Sequence, residues 1–348
     1  MTIMENISAK GSNNLVFFAV ERFAKMKKIA VFCSGGDAPG MNACIRAVVR
    51  AGLYHGLQVY GIKRGYQGMI EGRIEEMTSV SVSNIIQRGG TILKTARSKS
   101  FLTPEGRQIA ADQLRDKCID GIVAIGGNGT YTGAYKLFEE HGIPIIGVPG
   151  TIDNDLYGTD YTIGYDTAIN TALEAIDKIR DTADSNDRMF FVEVMGRDAG
   201  FIAMDVGISG GAEAILVPEF KTNLQDLVET IRNGWGRKKG SQLIVVSEGD
   251  DAGGVFEVVE KIKAQVDGIE YRIVVLGHIQ RGGSPTARDR VLASRLGAGA
   301  VQALLDGKKN VALGLCNEKL HFVSLREAVE KKKPVADELM ELASILST

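Results

Sequence analysis

The chain has 348 residues, with 41 Lys and Arg against 43 Asp and Glu, a formal charge of −2 and 44% hydrophobic residues. That balance excludes a disordered or fibrous chain and offers no dense basic surface for nonspecific nucleic-acid binding. At roughly one domain per 150 residues, two cooperating domains with a large core are expected.

Glycine is the outlier, 42 residues against a usual share of about 7%, and it falls in short clusters that let backbone approach a ligand closely. The cysteines, Cys33, Cys44, Cys118 and Cys316, have neither disulfide-framework nor zinc spacing, which fits a reducing cytoplasm. Residues 1–26 are polar and unpatterned apart from Leu15–Val20, a run too short for a signal segment or a membrane span. Either Met26 is the natural start or this leader is dispensable.

From Lys27 onward a short β-branched run, a Gly-rich break and a helical period recur, the pattern of parallel strands joined by crossover helices. In chain order the spacing predicts strands at Lys27–Cys33, Leu57–Ile62, Gly121–Ile125, Pro144–Val148, Met189–Val194, Ala214–Val217, Gln242–Ser247, Arg272–Leu276 and Val311–Leu315. Amphipathic periods predict helices at Met41–Gly52, Gly106–Lys117, Asp166–Thr182, Leu224–Asn233 and Arg288–Leu305. The Lys331–Lys333 run lies in a polar helical pattern and reads as a solvated face. No low-complexity linker separates the two expected α/β layers, so they should share an interface.

Ligands of open parallel sheets bind beyond the carboxyl ends of strands, so the loops there are the places to look. Ser34–Gly40 follows the first strand and precedes a helix beginning near Met41. It is equally an anion-binding turn and an ordinary tight turn, and has neither the Walker sequence nor the GxGxxG spacing. Gly126–Thr130 is a second Gly-rich turn, where Asn128 offers an oxygen to a hydrated Mg²⁺ and Thr130 a hydroxyl. Asp153 and Asp155 stand at i and i+2 after the next strand. In an extended segment they face one side, one suited as a base and the other near a metal, while a pair of Asx turns is the plain alternative. Arg188, Arg197, Arg272, His278 and Arg281 form a cationic group, any one of which alone is more often a surface ion pair.

The strings SGGDAPGMNA, GGTILKTARS, PGTIDND, VMGR and GHIQRGGSP occur in this order from Lys27 to about Gly314, and with them the chain resembles the bacterial-type ATP-dependent 6-phosphofructokinases. The resemblance implies the phosphofructokinase fold, two Rossmann-like three-layer α/β/α domains with mainly parallel sheets. It divides the chain into a larger ATP-binding domain of residues 27–164 plus 280–330 and a smaller sugar-phosphate-binding domain of residues 165–279 plus 331–348. The implied reaction moves the ATP γ-phosphoryl group, with Mg²⁺, to the 1-hydroxyl of fructose 6-phosphate in glycolysis.

Carried over by motif, Asp153 is the base, Arg197 stabilises the moving phosphoryl group and Thr151 contacts substrate. ATP lies against Gly36, Tyr66, Arg97, Ser98 and the loop of Gly127, Asn128, Gly129 and Thr130, with Asn128 and Asp155 close to the metal. The sugar site comprises Thr151, Ile152, Asp153, Met195, Gly196, Arg197, Glu248, His278, Ile279, Gln280 and Arg281. Arg188 and Arg272 reach the 6-phosphate from a neighbouring subunit of a homotetramer.

In pyrophosphate-using relatives the position of Gly129 resembles an aspartate and that of Gly150 a lysine, so glycine at both implies ATP as donor. Asn128 replaces a carboxylate of the family pattern, which implies an active enzyme with a higher Mg²⁺ requirement. An effector site for ADP or phosphoenolpyruvate is implied by Arg46, Arg50, Arg180, Glu213, Arg237 and Lys239, against which Ser79 and Gly240 replace basic residues. Three alternatives stand beside this reading. One is a pyrophosphate-dependent enzyme and one a weakly active regulatory paralogue, which retention of Asp153 and Arg197 disfavours. The last is a dinucleotide oxidoreductase, disfavoured by the glycine spacing.

Overall fold

The computed structural model describes residues 26–185, 188–236, 241–266 and 270–346. The first part of the chain runs β1 (Lys28–Cys33), α1 (Met41–Tyr54), β2 (Gln58–Ile62), α2 (Gly65–Ile70), β3 (Ile74–Met77), α3 (Pro104–Asp116), β4 (Gly121–Gly126), α4 (Asn128–His141) and β5 (Ile145–Pro149). Next come α5 (Tyr165–Asp184), β6 (Met189–Val194), α6 (Phe201–Ser209), β7 (Ala214–Leu216), α7 (Leu224–Gly236), β8 (Gln242–Ser247), α8 (Val255–Lys263) and β9 (Tyr271–Val275). The chain then returns with α9 (Ala287–Leu305), β10 (Val311–Cys316), β11 (Lys319–Ser324), α10 (Leu325–Glu330) and α11 (Asp337–Leu346).

The strands form two sheets, one ordered β11-β10-β5-β4-β1-β2-β3 and the other β7-β8-β6-β9. The second is parallel throughout, and the first is parallel except for its edge strands β3 and β11. Unbroken apolar runs such as Lys28–Cys33 and Gly121–Gly126 are buried on both faces, as central parallel strands covered by helices must be. One continuous apolar core links the two sheets, from Val31 and Val123 through α5 to Val192 and Val245. Buried Asp289 of α9 reinforces the junction by accepting from Gly164 N at 2.8 Å and Thr167 N at 2.8 Å, which satisfies free donors in the first turn of α5.

Each of the nine expected strands forms within a residue or two of its expected ends. The two edge strands were not expected, because Ile74-Glu75-Glu76-Met77 and Lys319–Ser324 carry the charged residues that protect sheet edges and lack an apolar run. α3 starts two residues early, at Pro104, where Thr103 caps it by accepting from Gly106 N at 3.2 Å. The Lys331–Lys333 run is solvated at Lys331 and Lys332, as expected, but it is not helical. Helix α10 ends at Glu330, Lys331 is extended, Lys332 forms an antiparallel bridge with Leu156, and Lys333 is half-buried. Residues 1–25 of the leader, together with Arg237 and Lys239, lie outside the described residues.

Candidate active site

Strand order reverses at β1 and β4: β2 lies on one side of β1, and β4 on the other. The crevice at such a reversal is where an open α/β sheet leaves room for a ligand, and both Gly-rich turns open into it. The first turn leads into α1 through Gly40, whose φ of 104° is the left-handed conformation that favours glycine. The second leads into α4, whose first helical residue is Asn128. In the other sheet the order reverses at β6, flanked by β8 and β9, and the loops after β6 and β9 face the same crevice through Arg197 and Arg281.

The result is a cavity of about 230 Å³ lined by Gly36, Asp37, Gly127, Asn128, Gly129, Thr130, Thr151, Ile152, Asp153, Asp155, Arg197 and Arg281, among others. A second cavity of about 460 Å³ is lined by Tyr66, Arg97, Ser98, Phe101, Arg107, Gly133 and Lys136. Gly35, Gly129 and Thr130 line both, so the two meet at the glycine turns. The expected base, the expected transition-state arginine and both glycine turns therefore converge.

Asp153 is 6% exposed, and its Oδ1 has no hydrogen-bond partner although it is buried. Burial raises its pKa, opposed first by the Arg281 and then by the Arg197 guanidinium, with Thr151 also lowering it. A buried carboxylate oxygen with a free lone pair, facing two cations, is poised to accept a proton. Thr151 Oγ1 accepts from Asp153 N at 3.2 Å and fixes the loop at that point.

The segment is not extended as expected: Asn154 has φ 54°, and its side chain accepts from Thr162 N at 3.0 Å. Asp153 and Asp155 nonetheless line one cavity, and their mutual repulsion adds to burial in pushing Asp155 up to about 6. Asn128 Nδ2 donates to Asp155 Oδ2 at 2.6 Å. The Asp155 carboxylate and the Asn128 amide oxygen form a donor set that is wholly oxygen, which fits Mg²⁺ held mainly by carboxylates and substrate phosphates. Among the described residues no group of three or more His, Cys, Asp or Glu gathers to hold a metal by itself.

The turn after β6 is held from two sides. Gln280, fully buried, accepts Met195 N at 2.9 Å, while Glu248 Oε1 accepts Arg197 N at 2.8 Å and Gly196 N at 3.4 Å. Arg197 itself has φ 53°, an uncommon conformation for a side chain of this size. His278 and Ile279 are exposed on the Gly277–Arg281 turn after β9.

Arg188 and Arg272 do not join this group. They sit at the entry ends of β6 and β9, a strand's length of about 20 Å from Arg197 at ~3.3 Å per residue, and Arg188 pairs with Glu270 at 3.3 Å. Within one chain they therefore lie at the opposite end of the sheet from the cavity. Of the expected effector residues, Arg46 is half-buried and Arg50 exposed on α1, far in the chain from Arg180. Arg180 donates to Gly210 O at 2.6 Å and to Gly211 O, and Glu213 Oε2 accepts Leu243 N at 2.5 Å.

Around the second cavity Tyr66 donates to Thr130 O at 2.5 Å and stacks on Phe101 with centroids 4.0 Å apart. Ser98 Oγ donates to Gln67 Oε1 at 2.8 Å and accepts Phe101 N at 3.2 Å. Buried Arg107 holds this wall: it is bidentate to Glu140 at 2.6 and 2.7 Å and donates to Phe101 O and Leu102 O at 3.0 and 2.8 Å. Phe101, Arg107 and Lys136 were missing from the sequence reading. The Thr-Pro-Glu helix start at 103–105 was the available signal for this wall.

The two glycines expected to decide the donor differ. A Cβ at Gly129 meets nothing within 4 Å and points into open space where the cavities join. A Cβ at Gly150 would lie 2.8 Å from Ile125 Cγ2 and 3.2 Å from Met41 Cε, so packing alone already favours glycine there.

A family model described as phosphofructokinase matches residues 28–304. The chain is 55% identical over 322 residues to the ATP-dependent 6-phosphofructokinase of Cytophaga hutchinsonii, covering 92% of this chain and 98% of that protein. It is 56% identical over 322 residues to ATP-dependent 6-phosphofructokinase 1 of Thermus thermophilus, covering 92% and 100%. Among solved structures, phosphofructokinase from Saccharomyces cerevisiae is similar with TM-score 0.81 at 34% identity, covering 92% of this chain and 48% of that one, so this chain spans about half the yeast chain. The pyrophosphate-dependent phosphofructokinase of Marinobacter aquaeolei is similar with TM-score 0.78 at 25% identity, covering 90% and 86%. With four-fifths of its length inside the family model and more than half its residues shared with these bacterial relatives, the chain belongs to the phosphofructokinase family.

Proposed function

We propose that the chain is an ATP-dependent 6-phosphofructokinase of glycolysis, transferring the ATP γ-phosphoryl group to the 1-hydroxyl of fructose 6-phosphate to give fructose 1,6-bisphosphate and ADP. The observation that carries this reading is the buried, unpartnered Asp153 Oδ1 facing Arg197 and Arg281 in a cavity that opens through Gly129 onto a second one. The bacterial relatives named above support ATP as donor.

Phosphoryl transfer needs mostly positioning and charge neutralisation. Asp153 takes the proton of the sugar hydroxyl as that oxygen attacks phosphorus. Arg197, held at its backbone by Glu248, neutralises charge that builds on the equatorial oxygens. Arg281 favours the ionised form of Asp153 against the cost of burial and offers a second fork to phosphate. Asp155 and Asn128 would hold Mg²⁺, which when bound shields the charge of the phosphates. The larger cavity between Tyr66, Arg97, Ser98 and Phe101 takes the nucleoside, and the triphosphate passes the junction at Gly129. The division into an ATP-binding domain on the seven-stranded sheet and a sugar-phosphate-binding domain on the four-stranded sheet follows from the same assignment.

The position of Arg188 and Arg272 away from the cavity supports their service to a neighbouring subunit's 6-phosphate, as in a homotetramer. Arg46, Arg50, Arg180 and Glu213 are proposed for an ADP or phosphoenolpyruvate site between subunits. Among the described residues no helix is long and apolar enough to cross a membrane, which accords with a cytoplasmic enzyme.

Assaying fructose 6-phosphate with ATP or pyrophosphate, using wild type and Asp153→Ala, tests the reading. ATP turnover in wild type and its loss by about 10²–10⁴-fold in the variant, with binding retained, are expected. Efficient use of pyrophosphate with poor use of ATP would refute the donor assignment, and an active Asp153→Ala enzyme would refute the base.

A further inference from the structure

The segment after α10 runs along the back of the carboxylate loop. Lys332 bridges Leu156, the residue after Asp155, and Lys331 Nζ stands 5.0 Å from the Tyr157 ring centre. Lys333 Nζ donates to Asp160 O at 2.6 Å in the same loop. Its other contact is in the element that follows β6: it stands 4.9 Å from the ring centre of Phe201, the first residue of α6, four positions after Arg197. One ammonium therefore touches both the loop that carries Asp153 and Asp155 and the turn-helix unit that carries Arg197.

Burying a lysine head is costly unless charge and hydrogen bonds compensate it. Here burial pulls the amine down to about 8, while Asp160, Asp155, Cys316 and Asp205 all favour its charged form. Asp205 in turn accepts from Tyr165 Oη at 2.7 Å, so α5 and α6 close around the same acidic surroundings.

We propose that Lys333 is a positioning residue for phosphoryl transfer, fixing the separation between the Asp153–Asp155 loop and the Arg197 turn from the side opposite the substrates. The inference rests on the roles given above to Asp153 and Arg197. A displacement of about 1 Å between such groups costs on the order of 10²-fold in rate, so a clamp bridging them acts on turnover more than on nucleotide binding.

The test compares wild type, Lys333→Met and Lys333→Arg in steady-state kinetics and in amide hydrogen exchange of residues 154–162 without substrates. Lys333→Met should lose about 10–100-fold in kcat with the ATP KM within about twofold, and exchange faster in that loop. Lys333→Arg should recover most of kcat and of the protection. Phe201→Leu, which removes the other contact, should show the same kcat loss and covers the case in which Lys333→Met does not fold. Unchanged kcat, or a loss without faster exchange at 154–162, overturns the proposal. An inactive wild type would defeat the assignment of Asp153 and Arg197, whereas exchange unchanged by Lys333→Met would defeat the clamp independently.

Discussion

Arg281 occupies the space in front of Gly36: a Cβ built on Gly36 would stand 1.8 Å from Arg281 Nη1. The β9 turn thus reaches across the crevice into the β1 turn, and the guanidinium that lowers the pKa of Asp153 is seated there. Only the far end of a flexible side chain is displaced by Gly36→Ala, so stability should change by less than about 1 kcal/mol. The charge near Asp153 changes instead. Losing the cation raises the Asp153 pKa further, so the acid limb of the kcat/KM profile should move to higher pH, with at least about tenfold lower kcat/KM near neutrality. A pH–rate profile superimposable on wild type would show that Arg281 does not serve the base.

Asn128 touches Asp155, the carboxylate proposed above to hold Mg²⁺. Its Nδ2 donates to that carboxylate at 2.6 Å, so the amide holds one oxygen of Asp155 in place. Asn128→Asp exchanges a donor for a like charge, which repels Asp155 in the free enzyme and is relieved by a shared cation. The half-saturating Mg²⁺ concentration should fall about 3–10-fold while kcat at saturating Mg²⁺ stays within about twofold. An unchanged Mg²⁺ titration would remove Asn128 from the metal site.

The sheet and the meeting of the loops were legible because buried parallel strands write themselves as unbroken apolar runs, and each is followed by its own loop motif. Ser34–Gly40, Gly126–Thr130 and PGTIDND could be placed at one end of one sheet from order alone. What the chain order hides is lateral packing. The stacking of Phe101 on Tyr66 and the reach of Arg107 to Glu140 join residues 35 and 33 positions apart, and no local period reports them. Lys331–Lys333 was misread for a related reason. Charge composition resembles a solvated helix, and only the bridge to Leu156 turns the segment into a strand-like strap.

Asp155 gives a pH dependence with a definite sign. Its pKa in the folded chain is about 6 against 3.8 in the reference state, so between those values the folded protein binds more protons than the unfolded one. Its contribution therefore weakens stability as pH rises from about 4 through 6 and stays unfavourable above that. In metal-free protein, Asp155→Asn should raise stability at pH 7.5 by about 1–2 kcal/mol after solvent screening and change it little at pH 4. Denaturant unfolding of both proteins in chelator at the two pH values measures this. A variant less stable than wild type at pH 7.5 would contradict it, and the expected gain with lost activity would mark Asp155 as a group kept for function.

Arg107 is part of the wall of the larger cavity and ties it together. It is 4% exposed, and four of its hydrogen bonds join Glu140 of α4 to the carbonyls of Phe101 and Leu102. Arg107→Ala leaves two carbonyls without their donor and the exposed Glu140 carboxylate without its cation, a loss of about 2–3 kcal/mol that comes mainly from the carbonyls. Arg107→Lys keeps charge but cannot span the fork, so it should recover less than half of that loss. Because Phe101 is the ring stacked on Tyr66, loosening it should weaken nucleotide binding before it affects the chemistry. The ATP KM should rise about tenfold with the fructose 6-phosphate KM and kcat within about twofold. A rise confined to the sugar-phosphate KM would move the nucleoside out of this cavity and with it the direction in which the triphosphate enters past Gly129.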